Sequence, residues 1–430
     1  MTGAASRLVG AAEKLLGAEL PLQIRAWDGS QAGPEGAPVL VVRNRRALRR
    51  LLFKPGELGL GRAWVSGDLG LEGDLYIALE AMAGLIWERD EAEGGGVLSA
   101  LRDPEVRAAI GELLKLAGPP LPPPRPPEEV RRPRHLHTRR SDKRAISHHY
   151  DVGNEFYELV LGPSMVYSCA YWSESSTLET AQRDKLELAC AKLGLREGQR
   201  LLDVGCGWGS MALHAAREHG VHVVGVTISE EQATYARKRV AEAGLTDRVE
   251  IRVQDYRDVS DGPYDAISSI GMAEHVGAES YLEYARDLYS LLRPGGKLLN
   301  HQIGRRPRDD ESEYQLDGFI DAYVFPDGEL APIGTTVTQL ERAGFEVRDV
   351  EALREHYALT LRHWVANLEA DWDRAARLAG AGRARVWRLY MAASALAFEG
   401  NRIGVNQVLA VRTPDEGSSG LPLRPRTWHG

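Results

Sequence analysis

Residues 200–210 read RLLDVGCGWGS. The first five residues, with three large apolar side chains, fit a short buried strand. The glycines at 205, 207 and 209 make a turn, and MALHAAREH (211–219) then takes up helical periodicity. Strand, glycine-rich turn and helix is the arrangement that brings backbone N–H groups close to a nucleotide-like ligand. A Walker loop is excluded because GxxxxGK[ST] is absent. The loop also lacks the dinucleotide fingerprint G-x-G-x-x-G, and its acid, Asp203, comes before the first glycine.

Working outward, the same alternation continues. Leu178, Ala181, Lys185, Leu188 and Ala189 carry a helix to Leu193, with Ser176 and Glu179 expected as its capping box. HVVGVTI (222–228) is a second strand, and Ser229 with Gln232 suggests another capping box before a helix over 230–243. RVEIRVQD (248–255), YDAISSI (264–270) and KLLNHQI (297–303) supply strands three to five, with a helix at 280–292. TVTQLERAGFEVRDVEAL (336–353) and NRIGVNQVLAV (401–411) supply the last two. The expected fold is therefore α/β and Rossmann-like, a mostly parallel seven-stranded sheet covered on both faces.

The chain has 430 residues, enough for two or three domains. Its N-terminal part, 1–117, reads as a small α+β domain, with strands at 22–27 and 39–44 and a helix at 75–86. GPPLPPPRPP (118–127) supports neither helix nor sheet, and a basic stretch with seven Lys or Arg follows between 131 and 144. Residues 118–145 are thus a linker, either simply solvated or placed on anionic headgroups. The larger domain spans 146–412, and 413–430 reads as a disordered tail.

A net charge of −8 argues against nucleic acid as a partner. Three cysteines with no CxxC give neither a disulfide framework nor a zinc motif, which points to a reducing, cytoplasmic setting. The histidine pairs 135/137 and 148/149 have no carboxylate or cysteine set to complete them, so no metal is expected. No apolar run approaches the ~18 residues of a membrane span. Leu8, Ala12, Leu15 and Leu16 share a helix face, expected to pack on its own domain.

The order D-x-G-x-G and the turn RPGGKLL (293–299) resemble class I S-adenosylmethionine-dependent methyltransferases. Gly205, Gly207 and Gly209 would then let the backbone approach the methionine part of the cofactor. Thr227-Ile228-Ser229 and Gln232 stand where an acid usually meets the ribose, and Asp255 suits the adenine amino group. IGMAEHVG (270–277) places Glu274 and His275 just past strand four, where ligands bind in open α/β sheets. Read with YSCAYW (167–172), HYDVGNEFY (149–157), NHQIG (300–304) and HYALTL (356–361), it resembles the cyclopropane-fatty-acid-phospholipid synthase family, which includes the mycolic acid cyclopropane synthases. The likeness covers roughly 140–411, and LGLGRAWVSGDL (58–69) looks like the small lipid-handling domain of longer members. Ala273 replaces a common aromatic, and Asn300-His301-Gln302 replaces apolar-His-Thr.

The resemblance implies methyl transfer from S-adenosylmethionine to the double bond of an unsaturated acyl chain in an inner-leaflet phospholipid. Bicarbonate acts as base, held by Glu274, His301, Tyr357 and the backbone around Cys169 and Ile303. It also adds Tyr167, Ser168 and Tyr256 to the cofactor set and points to peripheral membrane association and a homodimer. A carboxylate beside bicarbonate calls for a raised pKa at Glu274. His275 reads as structural support, Cys169 as a site-lining residue whose main chain matters. The apolar segments within 306–335 and 354–400 suit caps over an acyl chain. The cation left on the chain gives a cyclopropane, the expected product, or a methylene branch that a flavin- or NADPH-dependent reductase converts to methyl. A methyltransferase for a soluble small molecule and a non-catalytic lipid-binding protein are the readings from other classes.

Overall fold

The computed structural model describes residues 3–92, 103–130, 152–311, 314, 317–326 and 328–423. Two compact units emerge. One comprises Met1–Arg131, Asp317–Val324 and Ala379–Leu396; the other comprises Arg132–Leu316, Phe325–Leu378 and Ala397–Gly430. The division is not the single cut expected near the proline run, because two later segments cluster with the N-terminal residues.

The first unit opens with α1 (Ala4–Leu16), β1 (Gln23–Arg25), β2 (Gln31–Ala32), β3 (Val39–Val42), α2 (Arg46–Phe53) and α3 (Glu57–Val65). It continues with β4 (Leu69–Glu72), α4 (Leu75–Ala92) and α5 (Pro104–Ala117). Its sheet runs β2-β1-β3-β4, with β1 parallel to β3. Ala4, Ala5 and Leu8 of α1 join Leu22, Ile24 and Val42 in one core, so the apolar face of α1 is spent within its own unit. Arg50 and Asp68 form a buried ion pair at 2.8 Å; Asn44 and Ser66 also donate to Asp68, which satisfies a carboxylate that burial alone would penalise. Asp103 caps α5 by accepting from Glu105 N, with Pro104 in the first turn, where a missing N–H costs nothing.

The second unit begins with α6 (Asn154–Leu161) and α7 (Leu178–Leu193), followed by β5 (Arg200–Val204), α8 (Ser210–His219), β6 (His222–Thr227), α9 (Glu230–Glu242) and β7 (Val249–Val253). Next come β8 (Tyr264–Ile270), α10 (Tyr281–Leu291) and β9 (Leu292–Arg305). After α11 (Gly318–Tyr323), which belongs to the first unit, come α12 (Ile333–Arg342), β10 (Glu346–Ala352), α13 (Arg354–Ala370) and α14 (Trp372–Ala379), then α15 (Ala381–Glu399), which belongs to the first unit up to Leu396, and β11 (Ile403–Val411). The sheet order is β10-β11-β9-β8-β5-β6-β7, parallel throughout except for β11, which is antiparallel to both neighbours.

Local details correct the sequence reading. The cap of α7 is Thr177 with Thr180, not Ser176 with Glu179, because Thr177 is the last extended residue before the helix. The second expected box is only half formed: Ser229 Oγ accepts from Gln232 N, while the Gln232 side chain turns to Thr227. Of the expected tail, residues 413–423 are described. Thr413 Oγ1 donates to Glu346 at 2.9 Å, and Leu421 packs on the core. The basic stretch, 149–151 of HYDVGNEFY and both histidine pairs lie outside the described residues. Among the described residues no helix is long and apolar enough to cross a membrane.

Candidate active site

The chain leaves β5 for β6 on one side, while β8 flanks β5 on the other, so the strand order reverses at β5. A crevice opens at the carboxyl ends of strands at such a point. A cavity lies there, bounded by residues 165–168, the glycine loop, Thr227-Ile228, Asp255-Tyr256-Arg257 and Met272. At Gly207 φ is +54° and nothing lies within 4 Å of where a Cβ would stand, so the backbone there faces open space. A Cβ on Gly205 would stand 2.4 Å from Met272 Cγ. The loop is anchored from both sides: Gly205 N and Cys206 N donate to Val226 O at 3.0 Å, and Trp208 Nε1 donates to Asn154 at 2.8 Å.

Of the expected cofactor residues, Tyr167, Ser168, Asp203, Gly205 and Gly207 line the cavity, as do Thr227, Ile228, Gln232, Asp255 and Tyr256. Two do not. Gly209 caps α8 at φ +80°, and a Cβ there would meet Ala236 Cβ at 3.1 Å, so its absent side chain lets α8 pack against α9. Ser229 is buried and spends its hydroxyl on the cap of α9. The Thr227 hydroxyl is also engaged, donating to Gln232 Oε1 at 2.8 Å and accepting from Ser229 N. Asp255 is gripped by Arg257, whose Nε and second guanidinium nitrogen reach its two oxygens at 2.8 and 2.6 Å.

The sequence reading did not assign Lys185 a role. It occupies an inward position of α7, is fully buried, and donates from Nζ to Ser168 Oγ at 2.9 Å. Burial brings its pKa down to about 8, against the opposing pull of Cys169, Asp203 and Cys190. Asp203, on the neighbouring strand, is pushed up to about 6 by burial, even though Ser268 donates to its Oδ1 at 2.7 Å. Its Oδ2 is buried without a hydrogen-bond partner among the described residues. Both groups line the cavity, which thus offers an ammonium and an unpartnered carboxylate oxygen. That pair suits the zwitterionic amino-acid end of S-adenosylmethionine.

None of the five expected catalytic residues lines this cavity, but they fall into two joined groups close to it. Glu274 sits in the short 3-10 turn Ala273–His275 between Met272 and His275, both of which do line it. Its Oε1 accepts from Ile303 N at 2.7 Å, while Oε2 is closed to solvent and unpartnered among the described residues. Burial pushes the carboxyl up to about 7, with the Ile303 N–H pulling the other way. The raised pKa is as expected, and burial is its largest cause. His301 lies two residues before Ile303, on the same face of β9; both its ring nitrogens are buried and unpartnered among the described residues. Burial holds its pKa well below the usual histidine range, helped by Lys185 and Lys192. In the second group, Leu353 O accepts from Tyr357 N at 3.1 Å and from Cys169 Sγ at 3.5 Å, bringing those two residues to one turn. Burial pushes the Cys169 thiol up, so it is no nucleophile. His275 packs edge-on against Phe325, consistent with a supporting role.

A family model described as mycolic acid cyclopropane synthetase matches residues 137–408. The chain belongs to the mycolic acid cyclopropane synthetase family. Within that family, the chain is 44% identical to a probable fatty acid methyltransferase of Mycobacterium tuberculosis, over 94% of each chain. It is 33% identical to the cyclopropane-fatty-acyl-phospholipid synthase of Escherichia coli K12, over 87% of this chain and 88% of that one. A crystal structure of a mycolic acid cyclopropane synthase complexed with SAH and CTAB superposes with a TM-score of 0.59 at 33% identity, covering 65% of this chain and 99% of that one. The fold is that of class I S-adenosylmethionine-dependent methyltransferases, a family that uses that cofactor.

Proposed function

We propose that this chain transfers the methyl group of S-adenosylmethionine to the cis double bond of unsaturated acyl chains in membrane phospholipids and closes a cyclopropane ring, with bicarbonate held at Glu274 and His301. The observation that carries the proposal is the set of unpartnered polar atoms beside the cofactor cavity: Glu274 Oε2 and both nitrogens of His301. Buried polar groups are nearly always paired, so three such atoms without a partner among the described residues, on the turn after β8 and on the neighbouring β9, leave a place for a small oxyanion.

The cofactor, when bound, supplies an electrophilic methyl group. Gly207 leaves room for its backbone approach, and Lys185 with Asp203 orients its charged end. An alkene is a weak nucleophile, so alignment of the two partners supplies much of the rate. The cation that alkylation leaves on the acyl chain survives only where water is excluded. Bicarbonate, when bound, supplies the base. Glu274, neutral below about pH 7, then acts as hydrogen-bond donor through Oε2 without repelling the anion, and a neutral His301 donates from one ring nitrogen.

A second reading is favoured by the 44% identical relative, described as a fatty acid methyltransferase: the cation ends as a methylene branch, which a flavin- or NADPH-dependent reductase converts to methyl. Asn300 bears on this choice from the far side of β9. Its amide donates to Tyr281 and Gln302 and accepts from Tyr284, so it acts through the strand rather than on the anion. Gas chromatography with mass spectrometry of the hydrolysed product lipid separates the outcomes. A ring-containing acyl chain supports the first reading, a methylene branch replaces it with the second, and unaltered acyl chains sink both.

A further inference from the structure

A second constellation of donors lies away from the cofactor cavity. α7 presents Glu187 and Cys190, one turn apart, towards His214 of α8 and His219 at its end. Glu187 Oε2 stands 3.0 Å from His214 Nε2 and 3.1 Å from His219 Nε2. The Cys190 sulfur and one ring nitrogen of each histidine lie within 4.8 Å of one another. We propose that Cys190, His214, His219 and Glu187 bind a divalent cation of the zinc class.

The donor set is one thiolate, two imidazoles and one carboxylate, which is borderline-soft and suits zinc over magnesium or calcium. Bonds of ~2.0–2.3 Å make a tetrahedron with edges of about 3.3–3.7 Å. The two Glu187–histidine separations are already close to that, and the sulfur needs an approach of about 1 Å or less towards the two histidine nitrogens. Thiolate and carboxylate together neutralise a 2+ ion, so the filled site carries no net charge. Binding displaces the thiol proton and frees the two imidazoles from hydrogen bonding to Glu187; no electron moves. Access exists as well: Cys190 is buried, the histidines are mostly buried and Glu187 is half-exposed, so the ion enters from the Glu187 side. Without metal, one carboxylate oxygen serves two imidazoles and the thiol fills core space. With metal, all four become ligands and α7 is cross-linked to the helix that follows the glycine loop. The site is structural, since none of its ligands lines the cofactor cavity.

The test is cobalt(II) titration of metal-stripped, reduced, full-length protein. One equivalent should bind with sulfur-to-cobalt charge-transfer absorption and the visible bands of tetrahedral cobalt, and zinc should displace it. Zinc at a hundredfold excess over its Kd should raise the thermal midpoint by roughly 3–5 °C. Cys190→Ala should abolish the charge-transfer band, and His214→Gln or His219→Gln should weaken binding at least tenfold. Because the histidine variants alter the rim rather than the core, they decide the matter even where Cys190→Ala folds poorly. Absence of the band in the parent, its persistence in Cys190→Ala, or unchanged binding in both histidine variants overturns the site.

Discussion

Replacing Glu274 with glutamine separates what the carboxyl does for the reaction from what it costs the fold. In the folded chain its pKa stands at about 7, against 4.5 ordinarily, because burial disfavours the charged form. The sign follows from linkage. A carboxyl with a raised folded pKa binds its proton more tightly when folded, so it costs nothing below about pH 4.5 and progressively destabilises the fold as pH rises through about 7. The gap of roughly 2.5 pH units at ~1.4 kcal/mol each gives a full cost of about 3–4 kcal/mol at high pH. Glutamine keeps the acceptor for Ile303 N and never ionises. Urea unfolding at about pH 5 and about pH 8 should therefore show Glu274→Gln gaining about 2–3 kcal/mol on the parent between the two conditions. The same variant should lose acyl alkylation almost completely. Parallel stability profiles for the two proteins would refute the reasoning, since they would mean that the carboxyl ionises as easily inside as outside.

Three further outcomes follow from the site. Lys185→Met should weaken S-adenosylmethionine binding by roughly tenfold in calorimetry, about 1.4 kcal/mol, while leaving the thermal midpoint near that of the parent, because it also removes a buried charge; unchanged affinity would remove Lys185 from cofactor recognition. Gly209→Ala should lower stability by about 1–3 kcal/mol through its left-handed backbone and the Ala236 contact, whereas Gly207→Val should lower cofactor affinity more than Gly209→Ala does; the reverse ranking in paired calorimetry and unfolding experiments would contradict the placement of the loop. Removing dissolved carbon dioxide and bicarbonate should slow acyl alkylation several-fold, with recovery on adding bicarbonate; turnover that ignores bicarbonate would leave the unpartnered atoms of Glu274 and His301 without their proposed ligand.

The central sheet was legible because each parallel strand is a short apolar run and each covering helix has its own period; β5 and the glycine loop fall where RLLDVGCGWGS puts them. Exact caps were less legible, since Ser176 and Thr177 are both competent and only the backbone decides. The grouping of 317–324 and 379–396 with the N-terminal unit was not legible, because an apolar helix face records that it is covered and not by what. Lys185 left a trace, a lysine among apolar positions of α7, but its link to Ser168 comes from folding two distant segments together. Gly209 and Ser229 show the opposite case. Both match the pattern of a cofactor loop, yet packing and capping use them first. Cys190, His214 and His219 come from two helices and have no motif spacing, so only the packing of α7 on α8 brings them together.

The most direct measurement follows methyl-labelled S-adenosylmethionine into vesicles of matched phospholipids that differ only in acyl unsaturation. The account predicts label in the acyl chains of the monounsaturated lipid, none in the saturated one, and none in either with Glu274→Gln. Label in a headgroup, label in saturated chains, or transfer undiminished in the glutamine variant would contradict it.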